Sequence, residues 1–231
     1  MCWGSFLNVL AYRLINNISI IAPRSFCPYC HALIHWYDNI PVLSWLMLNG
    51  RCRACRKPIS VLYPLIELLT AILLSLLYLL IPHIYFWSYF ILISALIVTI
   101  RSDSETMLIS PYVTLYLAPI AFFLSAFQLL PLSLLDSVLG ALGGYGFLFC
   151  VNTIFKKIKQ YDGIGEGDFD LLFLIGAFTG IIGCWASVTI GSFFGCVYGL
   201  ISFIRNRYSA KIPFGPFLAA GALVYIFVGL Y

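Results

Sequence analysis

Seven long apolar runs, at about 61–81, 84–100, 111–130, 134–155, 168–183, 185–204 and 213–231, follow an apolar start, and none alternates polar with apolar residues. Inside a bilayer every backbone N–H and C=O must be satisfied within the protein, so only helices and closed barrels cross it. A barrel would show dyad alternation, so these runs are helices. Only 10% of the residues are charged, where a soluble domain carries about 25%. The chain is therefore expected to be an all-α polytopic membrane protein of about eight transmembrane helices. The first, in residues 1–13 ("MCWGSFLNVLAYR"), falls short of the roughly 20 residues a span needs. It has no basic n-region and no small-residue cleavage site before Arg13, so it reads as a truncated first helix whose true start lies upstream rather than as a signal peptide.

Charge sets the orientation. If residues 14–60, 101–110, 156–168 and 205–212 share one side, all 13 Lys and Arg lie on that side or at its border. The opposite breaks, around Pro82-His83, Pro131 and Gly183, contain none. By the positive-inside rule the basic side is cytoplasmic. Two glycine series, Gly140-Gly144 and Gly191-Gly195-Gly199, recur every fourth residue, the spacing of close helix packing in lipid. Cys150, Cys184 and Cys196 fall in apolar runs and read as small buried residues.

Residues 14–60 are polar and hold two CxxC pairs, Cys27-Cys30 ("CPYC") and Cys52-Cys55 ("CRAC"), with 21 residues between them. That separation is slightly above the usual 15–20 of a zinc ribbon. Four thiolates suit tetrahedral zinc and leave no open position, which makes such a metal structural. Two disulfides are the alternative, and a reducing cytosol disfavours them. Arg51, Arg53 and Arg56 would help keep the thiols ionised, while His31 and His35 read as loop residues. A small cytosolic zinc-ribbon-like insertion is expected here.

Acidic residues are scarce and sit at the ends of the runs, where an ionisable group is a functional candidate. Counting the apolar start as the first span, Asp103 follows the third; Asp168 opens the sixth, flanked by Glu166 and Asp170; Glu67 lies early in the second. Asp136, in "SLLDSVLG", reads as part of a helix N-cap. Asp103 and Asp168 fall on the same side, and two carboxylates brought together share a proton, one activating water while the other polarises a carbonyl. Gly165 and Gly167, in "GEGD", are expected to let backbone approach closely and to supply positive φ before Asp168. Spacing alone leaves helix capping and catalysis equally open at Asp168. Asp168 begins a helix, where the positive dipole end suits a base, and Asp103 follows a helix C-terminus, which suits the protonated acid.

"GSFLNVLAYRL", "CPYC", "NIPVLSWLMLNGRCRACRKPIS", "YPLIELLTA", "SDSETMLIS", "GEGDFDLLFLIGAFTG" and "IPFGPFLAAGA" occur in that order. Together they resemble the bacterial type IV prepilin peptidases, GxGD-type aspartic enzymes, along essentially the whole chain. The resemblance implies an inner-membrane enzyme that cleaves the basic leader of type IV prepilins or type II secretion pseudopilins on the cytoplasmic side, after a glycine. It also implies methylation of the new N-terminal amine by S-adenosylmethionine. On that likeness Asp103 and Asp168 are the catalytic pair, Cys27, Cys30, Cys52 and Cys55 bind zinc, and Gly50 is associated with methyl transfer. Residues 61–231 then form a membrane-embedded peptidase domain. The chain departs from the family pattern at Ser102, where a hydrophobic residue is usual, at Ser110-Pro111, and at Asp170, where a basic residue is common. No glycine-rich nucleotide fingerprint is present, so methylation rests on the resemblance alone.

A peptidase-only or degenerate relative acting in pilus or secretion assembly is the rival reading, and a proton-relaying transporter is disfavoured because most acids sit at helix ends. Nucleic acid is not expected as a partner, and the sequence leaves the oligomeric state open. Only some thirteen apolar residues follow Asp168 before the Gly180–Gly183 break, roughly 20 Å of helix against a core of about 30 Å. Asp168 is thus expected to be recessed below the membrane surface. A cysteine placed at position 168 should react with a water-soluble maleimide more slowly than one at position 160, and equal rates would remove the recess.

Overall fold

In a computed structural model, residues 1–22, 24–161, 163–206 and 212–229 are described, and they are helical apart from turns and two isolated β-bridges. Asp162 and most of the "RNRYSAK" break lie outside the described residues. The chain divides into two compact units, Met1–Leu76 and Leu77–Tyr231.

In the N-terminal unit, helix α1 (Cys2–Ile15) runs antiparallel to the start of α3 (Leu62–Leu80). The register follows from two contacts. A Cβ at Gly4 would come within 2.9 Å of Glu67 Cα and of Thr70, and the Asn8 amide donates to the Tyr63 carbonyl at 3.1 Å. Gly4 therefore lets the helices touch, and Asn8 satisfies its buried amide against the partner backbone. Beyond α1 the chain folds over buried Arg13, whose guanidinium donates to the Ser19 and Ile20 carbonyls at 2.8 Å each. The segment between the helices carries the four cysteines, a single turn of 3-10 helix at Trp36–Asn39 and the short helix α2 (Leu43–Met47).

The second unit contains α4 (Phe86–Thr106), α5 (Ala118–Ala126), α6 (Leu134–Lys159), α7 (Glu166–Asn206) and α8 (Gly215–Val224), the last continued by a π turn, Tyr225–Gly229. Ser133 caps α6 by accepting the Asp136 N–H at 3.2 Å, and its hydroxyl donates to the Asp136 carboxylate at 2.7 Å, as "SLLDSVLG" suggested. Among the described residues four helices are long and apolar enough to cross a membrane: α3, α6, α7, and α4 with the 3-10 turn before it. The run expected at 111–130 is not one continuous helix. Pro111 opens a 3-10 turn, Thr114 leaves helical geometry at φ −118°, ψ −88°, and only nine residues of α5 follow.

Helix α7 is broken at Gly180, where φ is 69° and ψ −171°. Only glycine adopts that conformation readily, and it splits the 41-residue element into arms 166–179 and 181–206. The break falls where the sequence placed it. The first arm is about 21 Å long, too short to span. Cys184 in the second arm lies 3.6 Å from the Leu172 carbonyl in the first, so the chain doubles back on itself.

Small residues hold these helices together. Gly140 on α6 meets Gly176 on α7 backbone to backbone, with Cys184 Sγ filling the remaining space and donating to the Gly140 carbonyl at 3.4 Å. On the second arm Gly191 packs on the Phe217 carbonyl of α8, and the Ser187 hydroxyl donates to the Leu218 carbonyl at 2.9 Å. The glycine series thus act in packing at Gly140, Gly144 and Gly191, whereas Gly195 makes only ordinary contacts. Cys184 is buried as expected, but Cys150 and Cys196 are exposed on outward helix faces. An apolar run surrounded by lipid places a small residue outward at no cost, so hydropathy could not tell the two cases apart.

Around Gly176 any side chain must displace backbone, while a Cβ at Gly146 meets nothing within 4 Å. Gly176→Val should therefore destabilise by roughly 1–3 kcal/mol or more. Gly146→Ala should be neutral or stabilising by about 0.5–1 kcal/mol through lower chain entropy. Thermal unfolding in detergent micelles measures both.

Candidate active site and metal centre

Asp103 lies in the last turn of α4, which Met107 ends in the left-handed conformation (φ 54°) by donating its N–H to the Asp103 carbonyl at 3.0 Å. The Asp103 side chain is buried, and its Oδ2 accepts the Gly215 backbone N–H at 3.0 Å. Gly215 is the first residue of α8, and first-turn N–H groups have no partner within their own helix. The carboxylate takes one of them. A Cβ at Gly215 would sit 2.8 Å from that oxygen, so no other residue fits without moving the acid. Sequence reasoning gave Gly215 no role. The available signal was the Gly-Pro step of "IPFGPFLAAGA", a proline placed where a helix can begin.

Asp168 lies in the first turn of α7 and is also buried. Its carboxylate interacts with the Gly165 backbone amide and lies within reach of the charge on Asp103. Asn152 of α6 fixes the turn that delivers it, accepting the Gly163 and Ile164 N–H groups on one side-chain oxygen at 2.9 and 3.2 Å. No motif marked Asn152 as a support, because a lone polar residue in an apolar run gives no hint of its partner.

The GEGD glycines divide their work differently from the expectation. Neither Gly165 nor Gly167 has positive φ; among the described glycines only Gly50 and Gly180 do. Gly167 is needed for approach, since a Cβ there would lie 2.8 Å from Ile109 Cβ, and Ile109 also reaches to 3.2 Å of a Cβ at Gly215. Ile109 thus packs against glycines beside both acids. At Gly165 the nearest atom to a Cβ would be Asp168 Oδ2, at an ordinary 3.6 Å.

The family departures are accommodated locally. Ser102 is buried but donates to the Thr99 carbonyl at 3.2 Å, so its hydroxyl is satisfied within α4. Asp170 is half-buried and faces the charge of Glu166 one turn earlier. Arg101 pairs with Glu105 at 2.6 Å across one turn of α4. Glu67, in the N-terminal unit, accepts the Val42 N–H at 2.8 Å and is not part of the Asp103–Asp168 pair.

In the N-terminal unit the sulfurs of Cys27, Cys30, Cys52 and Cys55 all lie within 4.8 Å of one another, and Cys27 and Cys55 are 3.9 Å apart. Tetrahedral zinc with bonds of about 2.3 Å needs sulfurs about 3.8 Å apart, so the donor set fits. Two equivalent knuckles present the thiols. In one, Cys27 N–H bonds to the Ala32 carbonyl and His31 N–H to Cys27; in the other, Cys52 N–H bonds to Lys57 and Arg56 N–H to Cys52. The residue after each second cysteine, His31 or Arg56, is left-handed. The backbone N–H groups of Cys55 and Ala54 favour the Cys52 thiolate and, against partial loss of water, hold its pKa at about 7. At Cys30 the Ala32 N–H also favours thiolate, but loss of water and the three neighbouring thiols take the pKa up to about 11. Four thiolates side by side need a cation.

His31 stacks on Phe26 and His35 on Tyr37, and neither belongs to the sulfur cluster. Arg53 is not directed at the thiols: it makes a two-pronged pair with Asp38, 2.7 Å on each side, which holds that carboxyl below its usual range. Gly50 has φ 64°, and a Cβ there would lie 2.8 Å from the Trp45 ring, whose indole N–H donates to the Ile59 carbonyl at 3.2 Å. Its requirement for glycine is explained by shape alone.

Residues 1–81 match the Bacterial Peptidase A24 N-terminal domain, and residues 90–201 match the Type IV leader peptidase family. A prepilin leader peptidase/N-methyltransferase of Burkholderia pseudomallei is 39% identical over 98% of this chain and 82% of its own length. One from Aeromonas hydrophila is 37% identical over 98% of this chain and 87% of its own. The type 4 prepilin-like proteins leader peptide-processing enzyme of Escherichia coli is 32% identical over 97% of this chain and 90% of its own. No solved structure matches the chain. With two family regions covering both units and relatives aligned along nearly the full length, the chain belongs to the type IV leader peptidase family.

Proposed function

We propose that this protein is an inner-membrane aspartic endopeptidase that removes the leader peptide of type IV prepilins or type II secretion pseudopilins, and that it also methylates the amine so exposed. The observation that carries the peptidase reading is the meeting of Asp103 and Asp168, buried carboxylates from different helices within reach of each other's charge. Two acids so placed hold one proton between them. Asp168, at a helix N-terminus, takes a proton from water as the oxygen attacks the scissile carbonyl carbon; Asp103 gives its proton to the carbonyl oxygen. Collapse of the tetrahedral diol breaks the C–N bond: the proton held on Asp168 passes to the leaving amine, and one diol hydroxyl returns its proton to Asp103. The Gly215 N–H on Oδ2 of Asp103 leaves Oδ1 to carry the proton. The distribution of Lys and Arg supports a site opening to the cytoplasm.

The four cysteines fit zinc, which would be structural, since all four positions are taken by sulfur. It would close the segment that bears Gly50. Methylation would consume S-adenosylmethionine as co-substrate and is supported by the names of the relatives, prepilin leader peptidase/N-methyltransferase.

Asp103→Asn and Asp168→Asn should each lower leader cleavage by at least about a thousandfold while the protein stays folded, as loss of a residue acting in a catalytic unit does. In the same assay Gly167→Ala should cost about a hundredfold by shifting Asp168, and Gly165→Ala far less. Mass spectrometry of a prepilin N-terminus after co-expression reads cleavage and an added methyl group together. Cleavage surviving in both Asn variants would overturn the mechanism; cleavage without methylation would leave a peptidase only.

Elemental analysis of the purified protein should find about one zinc per chain, and Cys27→Ser or Cys52→Ser should abolish it. Chelation should then speed tryptic cutting at Arg51, Arg53 and Arg56.

A further inference from the structure

Val42 has φ 62° and ψ −50°. A β-branched residue avoids this region, and with the Leu43 N–H bonded to the Pro41 carbonyl at 2.6 Å it forms the rare, strained type of γ-turn. Such a conformation persists only where its surroundings over-determine it. Here the fixing group is Glu67, whose buried carboxylate accepts the Val42 N–H at 2.8 Å. Glu67 is five residues into α3, about 7.5 Å along the axis from its first residue. The turn at Val42 is thus drawn down beside the membrane-crossing part of α3, at the level where Leu65 and Leu68 already face outward, 53% and 38% exposed.

Helix α2 starts at the next residue. Its Ser44 and Trp45 face the protein: the Ser44 hydroxyl donates to the Tyr37 carbonyl at 2.9 Å and the Trp45 indole to Ile59. Leu43, Leu46 and Met47 face outward, 57%, 56% and 81% exposed, with Trp36 beside the same segment also exposed. Positions i, i+3 and i+4 form one apolar stripe. Around it residues 14–60 carry five cations, Arg24, Arg51, Arg53, Arg56 and Lys57, against the single carboxylate of Asp38.

We propose that α2 is an interfacial anchor that lies in the headgroup–acyl boundary of the same membrane, pinned at that depth by the Glu67–Val42 hydrogen bond. The occupant of its apolar face is lipid, preferentially anionic. Three features select it: both ends of the segment continue into α1 and α3, the stripe extends the outward apolar surface of α3, and the cation excess suits anionic headgroups. A tryptophan beside an apolar stripe is the usual composition of this boundary. The consequence is that the cysteine knuckles are held flat against the bilayer instead of swinging free.

The test uses full-length protein in proteoliposomes of phosphatidylethanolamine and phosphatidylglycerol, with the photoreactive residue p-benzoylphenylalanine replacing Leu46, Met47 or, as a control on a knuckle tip, Arg56. Illumination should give phospholipid adducts at 46 and 47 at least about fivefold above those at 56, enriched in phosphatidylglycerol. With the probe at 47, Glu67→Ala should cut the lipid adduct severalfold, and Glu67→Gln, which keeps a neutral acceptor, should retain most of it. Equal adduct yields at 47 and 56 would overturn the proposal without touching the peptidase reading. So would transfer of the adduct from lipid to an added prepilin, which would make the stripe a substrate surface. An unchanged lipid yield in Glu67→Ala would overturn the pin.

Discussion

A carboxylate buried in a membrane bundle needs donors from the chain itself, because burial strips away most of its water. This requirement organises the second unit. Helix N-termini carry unused N–H groups and a positive dipole end, and each buried acid is met by one. Asp168 sits in the first turn of its own helix, and Asp103 receives the first residue of α8 through Gly215. A hydrogen bond to a charged group contributes about 1.5–3 kcal/mol, whereas each unsatisfied group in lipid costs several. Retaining both acids therefore demands that α7 and α8 begin where α4 ends. The glycine at the head of α8 serves that arrangement directly, since its N–H meets Asp103 and a Cβ there would crowd the acid.

Glycine meets it by three separate physical routes. At Gly180 the conformation itself is needed, since positive φ reverses the chain. At Gly140 and Gly176 the missing side chain is needed, because two backbones touch. At Gly167 and Gly215 the absence of Cβ keeps space for Ile109 beside both acids. Association in lipid has little hydrophobic driving force, so these close contacts and the Ser187 and Cys184 hydrogen bonds to backbone replace it.

Much of this was legible in the sequence. The apolar runs gave the helices, the Gly180 region gave the break, and the CxxC pairs gave a sulfur cluster. The positions of Asp103 and Asp168 at the ends of their runs marked them as unusual. What stayed hidden depended on contacts between distant segments. The sequence placed positive φ at Gly165 and Gly167, when the reason for Gly167 is Ile109, 58 residues away by number. Gly215 showed only its Gly-Pro step and Asn152 nothing, because one serves an acid on another helix and the other the turn that leads into α7. Arg53 looked like a partner for thiolates, but a single carboxylate at Asp38 with matching geometry took its guanidinium instead. The run at 111–130 was read as one span because hydropathy does not register the turn that Pro111 and Thr114 make.

The N-terminal unit concentrates backbone strain. Val42, Asn49, Gly50, His31 and Arg56 all have positive φ within one short segment. The left-handed region costs a non-glycine residue about 1–2 kcal/mol, and a loop tethered at two ends has little core with which to offset several such residues. The compensation has to come from outside the loop's own packing. One source is the sulfur cluster, where a bound cation would tie the four cysteines together. Another is Glu67, which ties Val42 to α3. The two act at opposite ends of the segment holding Gly50, so that glycine's conformation is set by both. A residue framed in this way is sensitive to any added side chain for geometric reasons.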